Sequence, residues 1–358
     1  MARIEFLRIY CFRNIEEAVI KIQSPFVCFY GQNAQGKTNI LESVYLMSNL
    51  RSFRAGNVQD WLQNDKYESS VMAELSDEFG AYKAGFKLRN SRREFFINDK
   101  PVDSIKEVMR RLRIISYNPS SYELILGEDA ERRKFFDRVV YSIDPDHLDD
   151  LVYYNKVLKN RNMALKQKQD YRLWDEFIAK TGEKIINRRI RALGLMQEYF
   201  KDTFHLFFNN KNNVLLNYRP SAGIDSNNIL KKLNDSSKID EIKGATNYGP
   251  HRDKIEILFN NSDAKKVVST GQAKLIAFLF KIAKTRFIKE FSKKSPIFLY
   301  DDVSAFLDEE RLMQLIDIIK KEDIQIMSTS VDNNLFRKLF SDSVQFITVR
   351  EGRVLNDC

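Results

Sequence analysis

The chain has 358 residues, 43% of them hydrophobic, which suffices for one large domain or two to three ordinary ones, each with a core. It has no N-terminal apolar leader and no apolar stretch long enough to span a bilayer, and its three cysteines (Cys11, Cys28, Cys358) form no CxxC pair; a membrane protein, a disulfide framework and a zinc module are therefore not expected, and a reducing cytoplasm is. The formal charge of +9 favours an acidic partner, with nucleic acid first, while His147, His205 and His251 are too dispersed for an evident metal cluster.

In chain order, "ARIEFLRIYCF", "EEAVIKI" and "FVCFY" read as strands. Next comes "GQNAQGKTN", Gly31 to Asn39, which fits G-x-x-x-x-G-K-[ST]. Gly31 and Gly36 allow a tight turn whose N–H groups point inward and, with the following helix N-terminus, cradle phosphate oxygens. The spacing assigns Gly31, Gln32, Asn33, Ala34, Gln35, Gly36, Lys37, Thr38 and Asn39 to nucleotide binding, with Lys37 reaching the β- and γ-phosphates and Thr38 ligating Mg²⁺. A chance match in a glycine turn is the alternative. The apolar strand before the loop and the helical spacing of Ile40, Val44 and Met47 after it argue against that.

Further strands are predicted at "SSVMAELSD", "AYKAGFKLR" and "REFFIND", with Asn98 and Asp99 in a turn. From about Pro119 to Ile190 the pattern is helical, amphipathic and nearly free of Gly and Pro. On "YNKVLKNRNMALKQK" a helix of about 3.6 residues per turn sets Lys156, Lys159 and Lys166 within about 120° of one another. Arg188, Arg189 and Arg191 add charge further along. These are the candidate DNA-phosphate contacts; solvated helix faces are the other reading. Residues 221–243 are polar and read as a surface connection carrying a short helix, and "DKIEILFN" returns to strand.

The last third carries two more candidate elements. In "VVSTGQAKLIAFLFKIAKTRF", Ser269 or Thr270 is placed to cap a helix and Gly271 leaves its backbone open, a second anion-binding helix start. An ordinary capped core helix is the alternative. "PIFLYDD" ends a strand in Asp301 and Asp302; Asp301 is placed to hold Mg²⁺, and Asp302 to orient or deprotonate an attacking water. Acidic turn residues capping a strand would look the same in isolation. One nucleotide does not need two phosphate-binding helix starts from one chain, so two subunits sandwiching the nucleotide are expected.

The phosphate loop, the "STGQAK" helix, the acidic strand end and "SAFLD" occur in the order of ABC-type ATPase heads, and within these the chain resembles the RecF family, related to the SMC proteins. "FRN" at 12–14, "GKTNILESVYLMS", "SFR" at 52–54, "NPSSYELILGEDAERRKFFD", "YNKVLKNRNMALK", "GPHRDK" and "STGQAK" carry the resemblance over nearly the whole chain. It implies an α/β head with a mixed sheet and an inserted helical arm, without a long coiled coil. Residues 1–118 and 246–358 would form the ATPase lobe and 119–245 the arm. Ser269, Gly271 and Gln272 would contact the nucleotide of a second subunit, and Ser304 to Asp308 would be the loop crossing the dimer interface. It further implies ATP and Mg²⁺ as cofactors, ATP-dependent homodimerisation, binding to duplex or gapped DNA, RecR and RecO as partners, RecA loading in SOS-linked repair, and a nucleoid-associated place in the cytoplasm. The chain departs from the family pattern at Lys254, Phe306 and Asp302, the last replacing the glutamate of fast ABC ATPases, so weak, DNA-dependent hydrolysis is expected with Asp302 and Lys37 as catalytic residues. It also lacks a switch histidine in "IQIMSTSVDNN", where Ser328, Thr329 and Ser330 are the candidate replacements. A transporter ATPase subunit has no use for the arm or the basic excess, a small-molecule P-loop kinase leaves "STGQAK" and "SAFLD" unexplained, and a purely structural DNA-binding protein would not need Lys37, Thr38 and Asp301 together.

Overall fold

A computed structural model describes residues 1–49, 51–54, 56–63, 66–90, 92–208, 212–302, 309–331, 337–338 and 343–355. They form two compact units, residues 1–121 with 288–358, and residues 122–287. No described helix is long and apolar enough to cross a membrane.

The first unit opens with β1 (Arg3–Phe12), β2 (Ile15–Lys21) and β3 (Phe26–Tyr30), then α1 (Lys37–Leu46). There follow β4 (Glu68–Asp77), β5 (Gly80–Arg89), β6 (Arg92–Ile97) and β7 (Lys100–Val102), α2 (Ile105–Arg111) and β8 (Ile114–Tyr117). Alternating burial along β1, β2, β4 and β5 makes a six-stranded antiparallel sheet in the order β2-β1-β4-β5-β6-β7. A bulge between Ile4 and Phe6 corrects the phase of β1, so Ile4, Leu7 and Ile9 are all buried. The predicted Asn98–Asp99 turn has both residues at positive φ, 51° and 61°, the geometry that matches the twist of a tight hairpin.

The second unit holds α3 (Glu123–Leu126), α4 (Asp129–Ile143), α5 (His147–Gln167), α6 (Asp175–Phe208), β9 (Val214–Arg219), α7 (Ser226–Asp235) and α8 (Ser237–Lys243). β10 (Lys254–Phe259), β11 (Ser262–Asp263), α9 (Ala264–Val267) and α10 (Thr270–Ser292) complete it, the division between units falling within α10 after Phe287. Ile178, Ile185 and Ile186 of α6 pack with Tyr154 and Val157 of α5 and with Ile229 and Leu233 of α7. The polar stretch 221–243 is thus more than a surface connection. It folds as two helices whose Ile229, Leu233 and Asp240 are buried. Arg161, wholly buried, donates to Asp175 at 2.6 Å, Asp240 at 2.8 Å and Thr246 at 2.9 Å, joining α5 to α6 and α8.

Residues 246–287, expected in the ATPase lobe, pack instead within this helical unit. The reason is strand and ring pairing. β10 lies antiparallel to β9 from Lys254↔Arg219 to Phe259↔Val214, and Phe280 of α10 stacks on Phe200 of α6 with centroids 3.6 Å apart.

After α10 the chain adds β12 (Ile297–Tyr300), α11 (Glu309–Lys320), β13 (Ile326–Ser330), β14 (Val344–Arg350) and β15 (Arg353–Leu355). They join β3 and β8 in a second six-stranded sheet, ordered β15-β14-β3-β13-β12-β8 and parallel except at β15. Ile40, Leu41 and Val44 of α1 share one core with Ile9 and Phe12 of the antiparallel sheet and Val27, Phe29 and Met327 of the parallel one. The helix after the phosphate loop is therefore covered on both sides, which holds its N-terminus rigidly.

Candidate functional site

Register in the parallel sheet decides what meets at its edge. Tyr117 pairs with Tyr300, Tyr300 with Ser328, and Ser330 with Tyr30, so β8, β12, β13 and β3 end side by side. The residues just beyond those ends, Asn118, Asp301, Val331 and Asn33 to Gly36 of the loop, surround a cavity of about 680 Å³, which Gly31 and Gln32 do not line. Ligand sites in α/β sheets form in such crevices beyond the carboxyl ends of strands.

The loop adopts a conformation its glycines make possible. Gly31 has φ 151° and a Cβ there would lie 2.3 Å from the Val349 carbonyl oxygen; Gly36 has φ 109°. Gln35 pins the loop to the β14–β15 turn, its carbonyl accepting from Gly352 N at 2.8 Å and its Oε1 from Glu351 N at 2.6 Å. Lys37 Nζ donates to the carbonyls of Gly31 and Gln32, both at 2.7 Å, arching over the loop. Burial pulls the Lys37 ammonium below the usual lysine range, while Asp302 and Asp301 oppose that shift.

Opposite it, Thr38 Oγ1 and Thr329 Oγ1 each donate to Asp301 Oδ1 at 2.8 Å, and Asp302 N donates to Thr329 Oγ1 at 2.7 Å. Burial raises the Asp301 carboxyl; the hydrogen bonds from Thr329 and Thr38 act the other way. A carboxylate and two hydroxyls converging in this way form a hard oxygen donor set of the kind Mg²⁺ takes. Among the three candidate switch replacements, strand alternation turns Thr329 to the cavity, while Ser328 Oγ is turned away and donates to the Val27 carbonyl at 2.9 Å.

In the second unit, Ser269 is the N-cap of α10. Its Oγ accepts from Gln272 N at 3.2 Å and Gln272 Oε1 accepts from Ser269 N at 2.9 Å, a reciprocal capping box. Ser269, Thr270, Gly271 and Gln272 are all exposed, and a Cβ on Gly271 would meet nothing nearer than Ser269 Oγ at 3.9 Å. The helix start is thus satisfied internally yet open for an approaching surface. Ser304 to Asp308 lie outside the described residues.

Asn14, Arg54, Asn118 and Ser120 also line the cavity, although the sequence shows them only as members of longer motifs. "FRN" and "SFR" flank the loop helix in sequence, but which of their side chains reach the cavity depends on β1 and on residues 51–54 packing beside α1.

The DNA candidates divide sharply. Lys156, Lys159 and Lys166 are exposed on α5. Arg188 is engaged by Asp144 at 2.6 Å and by Asp150. Arg189 is buried; it donates twice to Asp137, at 2.8 and 3.0 Å, and to the Pro250 carbonyl at 2.7 Å. The expectation that Arg189 contacts DNA is corrected accordingly: helical spacing counted its charge but could not see the Asp137 carboxylate on α4 that takes it up, whereas Arg188 stays half-buried and shared between two carboxylates.

Residues 3–355 match the model of the RecF/RecN/SMC N terminal domain. The chain is 32% identical to the DNA replication and repair protein RecF of Streptococcus gordonii, with 96% of this chain and 97% of the relative covered. Its fold superposes on the solved structure of a recombination mediator protein RecF with ATP, of the RecFOR pathway, with TM-score 0.89 and 26% identity over 99% of this chain and 97% of the other. An Smc head domain from Pyrococcus furiosus, solved with an extended coiled coil, is similar in fold alone, with TM-score 0.57 and 16% identity over 99% and 96%.

Proposed function

This chain belongs to the RecF family, and from that premise we propose that it is an ATP-dependent DNA-binding protein of replication and recombinational repair, a slow ATPase whose nucleotide closes a homodimer. The observation that carries the reading is the convergence of Lys37, Thr38, Asp301 and Thr329 on one cavity beneath a phosphate loop. Thr38 and Asp301 would hold Mg²⁺, which neutralises charge on the phosphates when bound. Lys37 would leave the loop carbonyls for phosphate oxygens, adding charge that needs no proton transfer. Asp302, one residue beyond Asp301, would orient the attacking water; its carboxylate reaches less far than a glutamate, which supports slow turnover. The exposed Ser269–Gln272 helix start would bind the nucleotide of the second subunit. Duplex or gapped DNA, RecR and RecO, and a role in loading RecA follow from family membership together with the basic excess, as does a nucleoid-associated place in the cytoplasm.

The test is light scattering of the full chain with and without Mg-ATP, beside binding to gapped, duplex and single-stranded DNA. ATP should convert monomer to dimer and tighten binding to the gapped and duplex substrates. A chain that stays monomeric at saturating ATP overturns the clamp. Ser269→Arg should cost about 1 kcal/mol of stability through its cap, retain ATP binding as a monomer and fail to dimerise. Loss of ATP binding by that monomer would instead put the signature in the same subunit's site.

DNA affinity is expected to involve the α5 lysines. Removing Lys156, Lys159 and Lys166 together should weaken binding for all sequences alike and reduce the salt slope by up to about 2.7, near 0.9 per phosphate contact. ATP binding should be unaffected. An unchanged slope would move the DNA site off α5.

A further inference from the structure

Glu42 carries a charge where the loop helix is otherwise sealed. It lies on α1, five residues after Lys37, and its side chain is 0% exposed. Arg13 grips it with two bonds, Nη2 to Oε1 at 2.6 Å and Nε to Oε2 at 3.0 Å. Ser52 Oγ donates to Oε1 at 2.6 Å and itself accepts from Arg54 N at 2.8 Å. Arg54 Nη1 reaches Oε2 at 3.4 Å and Asn39 Oδ1 at 2.6 Å. Glu42 therefore reaches Arg54 by two routes, through the guanidinium and, by way of Ser52, through the backbone.

Arg54 and Lys37 are the cations among the described residues lining the main cavity. Arg54 also borders an adjoining cavity of about 630 Å³, which Arg13 lines as well, so Arg54 stands where the two spaces meet. One carboxylate between two guanidiniums leaves a net charge of one cation at the rim. Burying a carboxylate is costly unless each of its donor partners is held in place.

We propose that Glu42 is a positioning residue for the nucleotide: it holds Arg54, by side chain and by backbone, so that the guanidinium faces a polyphosphate in the cavity. This rests on the nucleotide reading above. A merely structural Glu42 would stabilise α1 against Arg13 and leave Arg54 indifferent to it.

A double-mutant cycle on the full chain separates the two roles, with binding of a fluorescent ATP analogue as the readout and thermal melting run alongside. Arg54→Ala, a change at a partly exposed side chain, should weaken binding about tenfold, the scale of one charge-assisted hydrogen bond. Glu42→Gln should weaken it comparably in the wild-type background and add almost nothing in the Arg54→Ala background. If Glu42→Gln does not fold, Glu42→Asp, which keeps the charge one methylene further back, serves in the same cycle. Equal losses in both backgrounds, or wild-type binding by Arg54→Ala, overturn the proposal. Lys37→Ala is the control: if it too binds as wild type, the nucleotide reading fails, whereas if it alone loses binding, only the role of Glu42 fails.

Discussion

Lys37→Ala should abolish ATP-dependent dimerisation and weaken ATP binding by about a hundredfold, or about 2.7 kcal/mol, while leaving the fold intact. The Lys37 ammonium sits in the mouth of the loop and, among the described residues, is bonded to the carbonyls of Gly31 and Gln32. Those carbonyls belong to a loop already fixed by the turn at Gly352 and by the burial of α1, so its shape does not depend on the lysine. Only the charge that would meet the phosphates is lost. Lys37→Arg keeps that charge in a planar, longer group and should bind ATP with impaired turnover. Calorimetry of nucleotide binding and light scattering read both effects. A Lys37→Ala chain that dimerises with ATP like the wild type would show that the loop is not the site.

Arg189→Ala should destabilise the helical unit by about 3–5 kcal/mol, the scale for breaking a buried ion pair by removing one partner. Asp137 would keep His147 Nε2 at 2.9 Å but lose both guanidinium bonds, and the Pro250 carbonyl would lose its donor. Burial pushes the Asp137 carboxyl up, yet the Arg189 charge and the hydrogen bonds from His147 and Arg189 prevail and hold it at about 2. A carboxyl depressed in the folded state contributes stability that is complete above its usual 3.8 and drains as pH falls through about 2. The wild type should therefore lose this contribution between those values, and the variant should show little of that dependence. Hydrogen exchange of α4 and α6 amides measures it without assuming that the two units unfold together. Unchanged stability with a reduced DNA salt slope would instead return Arg189 to the DNA surface.

The most legible parts of the sequence were those in which one short segment contains its own physics. "GQNAQGKTN" between a strand and a helix specifies a loop, because glycine placement, helix start and lysine all lie within nine residues. The hairpin at Asn98–Asp99 and the long helices α4, α5 and α6 were readable for the same reason: local conformational preference and burial pattern agree. The cap at Ser269 was readable too, and the structure only chose it over Thr270 and added Gln272 as its reciprocal partner.

What the sequence by itself determined is the set of elements and the chemistry each carries. What only the tertiary structure decided is which of them meet, because meeting is set by strand register and by side chains distant along the chain. β13 lies between β3 and β12, and that order brings Thr38, Asp301 and Thr329 together across almost three hundred positions. β10 pairs with β9, which draws residues 246–287 into the helical unit. Charge shows the same limit: Arg189 and Lys159 look alike to a count of basic residues, but Asp137 and burial make the first a core residue while the second stays at the surface. An ion pair's partner is a matter of three-dimensional packing, and no periodicity along a single helix encodes it.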